Sequence, residues 1–314
     1  MFLSFILTAG FTLTITIAAF LFNQIPNEKG WDDPKDPQGS RIDQFVQKFI
    51  GKHVKQRELW IHSLERILLG LSDQQLLTGI AIVLAGLSRI PYSTGNITTY
   101  HLVLISDLVW LASNSHLLTL LVLRGYFQTH KWARALRASG MGLLACGLII
   151  ISVLTGDELI YDEFECPVQC LLENMSIGGV PGKWMIVNIV TVVYGYALAL
   201  LPLFDGSRYW YYKGIACLEE FSESPTNPVL KAVAQLLRII VVDFLLSRVV
   251  EILELTAWFV GGVIWAVNDR KAGQVLMRQP GEQDENVVGF AQFVALFLFV
   301  LPFFMVVETL SGDS

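Results

Sequence analysis

The sequence predicts an all-α protein, a polytopic bundle of about seven membrane-spanning helices with the N-terminus outside and amphipathic helices at the interface. Hydrophobic residues make up 53% of the 314 positions and charged residues only 16%, against about 25% charged residues in ordinary soluble domains. The apolar residues also occur in long blocks, several of which reach the ~20 residues that a helix needs to cross a bilayer. We therefore expect a single integral membrane domain over residues 1–314.

The charge balance excludes one large class of function. The net charge is −6, which leaves no surplus of basic side chains. Nucleic-acid binding depends on Lys and Arg side chains that neutralise phosphates. We therefore expect no nucleic-acid partner, and we expect membrane lipids and a lipophilic small molecule from the bilayer instead.

The first predicted span is the apolar block 3–22. A secretory signal peptide is the alternative, and it would require a basic start, a shorter apolar run and a small-residue cleavage site. No basic residue precedes this block, and its apolar run is too long. The block therefore predicts a retained first helix.

A polar connection over residues 23–75 follows the first span. Proline and glycine interrupt its first half, and from Ile42 onward apolar residues recur every three or four positions among Lys and Arg. This pattern predicts amphipathic helices that lie on the cytoplasmic surface of the membrane.

Six further apolar blocks predict the remaining spans. They cover residues 76–90, 100–123, 141–154, 184–204, 249–267 and 287–307. The segment 229–246 contains Lys231, Arg238 and Asp243, which favours an amphipathic helix leading into the sixth span. If this segment crosses the membrane instead, the count becomes eight and the C-terminus changes sides.

The distribution of basic residues predicts the orientation of the bundle. Three connections together contain 16 Lys and Arg residues: 23–75, 124–139 and 205–238. The three alternate connections together contain only 4: 91–99, 155–183 and 268–286. Because basic connections remain in the cytoplasm, we expect the N-terminus outside and the C-terminus inside.

The outer connections contain the residues that are typical of an oxidising lumen. Asn96 and Asn174 each begin an N-glycosylation sequon, and Cys166 and Cys170 lie four positions apart in the acidic loop 155–183. These cysteines predict a local disulfide; a metal site is the alternative, although no histidine lies nearby. We expect a glycoprotein of the endoplasmic reticulum or another endomembrane, with the plasma membrane as the alternative.

An acidic string over residues 32–36 is similar to the metal-binding string of magnesium-dependent prenyl-diphosphate enzymes. That chemistry requires the carboxylates to project from one helix and share metal ions with a diphosphate. Two prolines within and beside the string disfavour a helix. We therefore predict no metal site and no cofactor.

Polar side chains inside the predicted spans are the candidate functional residues, because such side chains are costly in lipid and normally face the bundle interior or a wet cavity. On the third predicted span, Tyr100, Asp107, Trp110 and Asn114 lie within one narrow face of the helix. His116 lies nearly opposite Asp107, where we expect it to reach the cytoplasmic boundary or a neighbouring helix.

The sixth predicted span has a denser polar face. Glu251, Glu254, Trp258 and Trp265 lie within about 100° of the helix circumference, and extending the helix backwards adds Asp243 to the same face. The structural alternative is that the acids pair with arginines and the tryptophans anchor the helix at the membrane interface.

These side-chain types are the ones that an acid-initiated cyclisation requires. Burial favours the protonated form of a carboxylic acid, which can then act as a general acid. Indole and phenol faces stabilise cations. The candidate catalytic acids are Asp107, Glu251 and Glu254. The candidate substrate-binding residues are Tyr100, Trp110, Asn114, Trp258 and Trp265.

Four stretches of the sequence carry a resemblance to a known family. They cover residues 71–82 (LSDQQLLTGIAI), 97–102 (ITTYHL), 107–116 (DLVWLASNSH) and 123–127 (LRGYF). The chain resembles a widespread family of integral membrane proteins of filamentous fungi, most strongly over residues 65–140, and this resemblance implies a topology and no reaction. In size and helix layout it is also similar to the membrane-bound terpene cyclases of fungal meroterpenoid pathways, although no motif transfers residue by residue.

The sequence therefore predicts a membrane-embedded enzyme of secondary metabolism, an acid-initiated terpene cyclase acting on a lipophilic isoprenoid. A seven-helix receptor or sensor is the alternative, because an outer N-terminus, an inner C-terminus and a disulfide-bearing outer loop also suit that class. A transporter is a third candidate, disfavoured because neither broken helices nor inverted repeats are evident.

Overall fold

A computed structural model describes residues 2–23, 42, 45–46, 57–90, 97–156, 167–168, 182–223, 227–245 and 247–276. Regular structure in these ranges is helical, apart from one isolated β-bridge between Thr98 and Pro167. The prediction of an all-α protein is therefore confirmed for the part of the chain that the structure describes.

The helices, in chain order, are α1 (Phe2–Asn23), α2 (Arg57–Ser88), α3 (Thr99–Val122), α4 (Arg124–Thr129), α5 (Lys131–Leu154), α6 (Lys183–Leu200), α7 (Asp205–Glu223), α8 (Pro228–Arg238) and α9 (Arg248–Leu276). A 3₁₀ turn, Leu201–Leu203, follows α6, and a π-helix, Ile239–Leu245, continues α8.

Among the residues that the structure describes, five helices are long and apolar enough to cross a membrane, which is consistent with a multi-pass membrane protein. They are the segments Leu64–Ser88, Thr99–Val122, Lys131–Leu154, Met185–Leu203 and Arg248–Val275, and α1 contributes a shorter apolar helix, Phe5–Leu21. The seventh predicted span, residues 287–307, lies outside the described residues. Within the segment 229–246, which the sequence left open, residues 229–245 belong to α8 and the π-helix, and they are not among these five.

The second predicted span begins too late. We predicted a start at residue 76 after interfacial helices, whereas α2 is continuous from Arg57 and its apolar segment begins at Leu64. Ser72 and Gln75 are only 5% and 2% exposed, because their side chains belong to the face of α2 that packs in the bundle. Their polarity therefore did not mark a membrane surface.

Helix α3 lies at the centre of the bundle. Every side chain from Leu108 to Leu123 is buried, because α3 packs against α1, α2, α5, α6 and α9. Around it, α9 contacts α1, α1 contacts α2, α2 contacts α5 and α5 contacts α6. Among the described residues α6 and α9 scarcely touch, so the ring of helices around α3 is open between them.

Contacts between helix ends show that α1 and α9 run in opposite directions, as do α5 and α6. The guanidinium of Arg270, near the end of α9, lies 4.9 Å from the centre of the Phe2 ring at the start of α1. At the same end of the bundle, the Gly182 N–H before α6 donates to the Gly156 carbonyl after α5 at 2.9 Å. These four helix ends therefore lie at one common end of the bundle.

Arg134 joins the start of α5 to the end of α6 at the opposite end. It is buried, its Nη1 donates to the Leu203 carbonyl at 2.7 Å, and its guanidinium lies 5.4 Å from the centre of the Phe204 ring. Arg134→Met keeps the apolar stem but removes the donor. We expect it to lower the free energy of unfolding in detergent by about 2 kcal/mol.

The matched control for this substitution is Lys131→Met at an exposed position of the same helix. We expect that change to remain within about 0.5 kcal/mol of the parent protein. Equal losses of thermal stability in the two variants would show that Arg134 does not stabilise the contact between α5 and α6.

Candidate functional site

A cleft lies at the opening between α6 and α9, and α3 forms its floor. Its empty space is about 430 Å³, counting the part that is open to the surroundings. Apolar side chains of all three helices line the rest of its wall. The polar and aromatic lining residues are Trp110, Ser113, Asn114, Thr191, Tyr194, Glu251, Glu254 and Trp258.

The polar faces predicted for the third and sixth spans meet in this cleft. Trp110 and Asn114 come from α3, whereas Glu251, Glu254 and Trp258 come from α9. The rings of Trp110 and Trp258 lie edge to face, with their centres 5.9 Å apart and their planes at 78°. This is a favoured arrangement of aromatic rings, and it places two indoles beside two carboxyl groups.

Glycines allow α6 and α9 to lie close against α3 on the two sides of the cleft. A Cβ atom at Gly262 would lie 2.9 Å from Trp110 Cδ1, and one at Gly195 would lie 3.1 Å from Leu117 Cδ1. Small residues serve this purpose in membrane bundles, where helix association depends on close van der Waals packing. A side chain at either glycine would therefore push its helix away from α3.

Hydrogen bonds hold several lining side chains in place. Asn114 Nδ2 donates to the Trp110 carbonyl at 3.0 Å, and Ser113 Oγ donates to Tyr196 Oη at 3.0 Å. The Trp110 Nε1–H is buried and has no hydrogen-bond partner among the described residues. A buried donor of this kind is normally satisfied by water or a ligand.

Other predicted site residues lie outside the cleft. Tyr100 is fully buried at the start of α3, where its ring contacts the backbone of α9 at Gly273. Asp107 lies near Asp269 of α9, within range for electrostatic interaction, and its buried Oδ2 has no hydrogen-bond partner among the described residues. Trp265 is partly exposed, with its ring centre 6.4 Å from that of Trp258, and extends the row of indoles away from the cleft.

The backward extension of the sixth span to Asp243 is wrong. The π-helix ends at Leu245 and α9 begins only at Arg248, so the polar face of α9 does not continue to Asp243. Asp243 is buried and pairs with Arg238, whose Nη2 lies 3.3 Å from its Oδ2. This is the structural pairing that the sequence offered as the alternative role for such acids.

Sequence reasoning missed the residues that α6 brings to the cleft. Thr191 and Tyr194 lie three positions apart on an otherwise apolar stretch of this helix, and that spacing is the signal that was available.

The predicted disulfide pair Cys166 and Cys170 lies outside the described residues, as do the sequons at Asn96 and Asn174.

Within the described ranges, no group of three or more His, Cys, Asp or Glu side chains is arranged to hold a metal ion. The lining of the cleft provides carboxyl groups, aromatic faces and hydrogen-bonding groups. No protein family, no curated protein and no solved structure matches this chain.

Proposed function

We propose that the chain is a membrane-embedded enzyme that cyclises a lipophilic isoprenoid by acid initiation. The observation that supports this proposal most strongly is the convergence of Glu251 and Glu254 with the indoles of Trp110 and Trp258 in one cleft. In this proposal a carboxylic acid of α9 donates the initiating proton.

The proposed reaction is an isomerisation that consumes no other reactant. The carboxylic acid transfers its proton to a terminal alkene carbon or to an epoxide oxygen of the substrate, and a carbocation forms. A neighbouring double bond attacks this cation and closes a ring, and the final cation loses a proton that returns to the carboxylate. The faces of Trp110 and Trp258 would stabilise the migrating positive charge.

The position of the cleft supports a substrate from the lipid phase. The cleft lies where the ring of described helices is open, between α6 and α9. Because these two helices make few contacts with each other, they can separate to admit an isoprenoid chain. An endomembrane location and a role in fungal secondary metabolism belong to the same proposal, through the similarity to meroterpenoid cyclases.

The test uses microsomes that contain the full chain, incubated with a farnesylated phenol or with its terminal epoxide. A cyclised product has the mass of the substrate and a different chromatographic retention. In D₂O, alkene-initiated cyclisation places one deuterium on carbon, whereas epoxide initiation places it on an exchangeable hydroxyl. Folded protein that converts neither substrate, in comparison with microsomes lacking the chain, would contradict the proposal.

A receptor or sensor is the second candidate, and the lining of the same cleft favours it. Carboxylates flanked by indole rings also suit the binding of a lipophilic ammonium ion. A receptor would bind such an amine and raise its own unfolding temperature, but it would form no product from the isoprenoids. The two measurements together separate the two functions.

A further inference from the structure

A second buried polar cluster lies on the side of α3 that faces away from the cleft. It is formed by Ser72 and Gln75 of α2 and by His116 and Thr119 of α3, all of which are at most 5% exposed. Arg137 of α5 lies at its edge, close enough to interact electrostatically with His116. This inter-helix cluster is separate from the proposed catalytic cleft.

Hydrogen bonds join part of this inter-helix cluster. Ser72 Oγ lies 3.0 Å from His116 Nδ1 and accepts a hydrogen bond from Thr119 Oγ1 at 3.1 Å. Thr119 Oγ1 also lies 2.9 Å from the carbonyl of His116. Ser72 therefore connects α2 with two successive turns of α3.

Other polar atoms of the cluster have no partner. Both side-chain amide atoms of Gln75, Nε2 of His116 and Nη1 of Arg137 are buried without a hydrogen bond to any described residue. Buried polar groups in proteins are nearly always satisfied by protein or by ordered water. Four such atoms lie between the same three helices, and each of them requires a polar partner.

The chemistry of these atoms favours water as their partner. The side-chain amide of Gln75 offers an NH₂ donor group and a carbonyl acceptor, and Arg137 offers a donor whose charge is balanced by its ion pair with Asp73. An anion would be repelled by the amide oxygen of Gln75, and a cation would be repelled by the guanidinium of Arg137. Water satisfies donors and acceptors together, and a buried water typically makes about three hydrogen bonds.

The ion pair also marks the route by which water enters. The side chain of Asp73 is 51% exposed, whereas that of Arg137 is 14% exposed. The pair therefore lies between the surroundings and the buried atoms of Gln75 and His116. We infer that α2, α3 and α5 enclose an internal water site that opens past Asp73 and Arg137 and extends to the Ser72–His116 pair.

This water site has a definite depth. His116 lies six residues before the end of α3 at Val122, which corresponds to about 9 Å along the helix axis. The Ser72–His116 pair thus lies about 9 Å inside a segment long and apolar enough to span a membrane. The water site keeps the Ser72–His116 pair in proton exchange with solvent, independently of the reaction proposed for the cleft.

The test is radiolytic hydroxyl-radical footprinting of the full chain in nanodiscs, because bound water is converted to radicals where it lies. We expect oxidation of His116 well above that of the fully buried Leu144, after normalisation to intrinsic reactivity. Gln75→Leu should lower His116 oxidation at least fivefold. Ser115→Ala is the matched control, since Ser115 is equally buried but donates to Leu111 of its own helix, and it should leave the oxidation unchanged.

The unfolding temperature supplies a second test, because Gln75→Leu should shift it in opposite directions for a water-filled cluster and a dry one. If water fills the site, Gln75→Leu expels it, strands the remaining polar atoms and lowers the unfolding temperature by about 3 to 6 °C. If the cluster is dry, the same change removes an unsatisfied amide and raises that temperature. Three outcomes would each overturn the inference. The first is His116 oxidation no greater than that of Leu144, and the second is a raised unfolding temperature of Gln75→Leu. The third is loss of His116 oxidation when Na⁺ is added, which would identify a cation as the occupant of the site.

Discussion

Replacing Gly273 by alanine is expected to destabilise the bundle by about 3 kcal/mol, although only one methyl group is added. A Cβ atom at this position of α9 would overlap the ring of Tyr100. That ring cannot move aside, because Tyr100 is fully buried at the start of α3. Relief therefore requires α9 to move away from the central helix.

Gly261→Ala on the same helix provides the matched control. A Cβ atom at Gly261 would have no neighbour within 4 Å, so the only effect is the better helix propensity of alanine, worth up to about 1 kcal/mol. The two identical substitutions should therefore change the free energy of unfolding in opposite directions. Equal shifts in thermal unfolding of the purified variants would contradict the close contact of α3 and α9.

Helical periodicity assigned part of the cleft lining to the faces of two spans, but it did not separate those residues from Tyr100, Asp107 and Trp265, which lie outside the cleft. Trp110 and Asn114 on α3, and Glu251, Glu254 and Trp258 on α9, were assigned to two faces, and these residues now line one cleft. Periodicity does not state which faces meet, because this depends on helix order around α3. The contribution of α6 was missed for that reason.

Two errors arose where local sequence has more than one structural meaning. Ser72 and Gln75 lower the average hydropathy of α2, and an average does not distinguish a polar group buried between helices from one at a membrane surface. The interruption after Leu245 follows a π-helix, whose wider turn is not visible in a 3.6-residue pattern. Asp243 was therefore assigned to the wrong helix face.

Converting both cleft acids to amides, Glu251→Gln with Glu254→Gln, is expected to lower the rate of isoprenoid cyclisation by about 10³-fold or more. Glutamine keeps the shape of the side chain and one of its two acceptor oxygens, but it cannot donate the initiating proton. General acid catalysis contributes about 10²- to 10⁴-fold. The measurement is product formed per folded protein in microsomes. Glu220→Gln on α7, the same change at an exposed position, should leave the rate unaltered.

The single variants identify which acid starts the reaction. If one glutamate is the proton donor, its variant alone should reproduce most of the loss, whereas the other should change the rate by less than tenfold. Asp107→Asn should also have an effect below tenfold, because Asp107 does not line the cleft. A large loss with Asp107→Asn and retained turnover in the double variant would transfer the initiating role to α3. The cleft acids would then serve only to shape the site. The comparison is direct, because the same assay measures both variants on the same substrate.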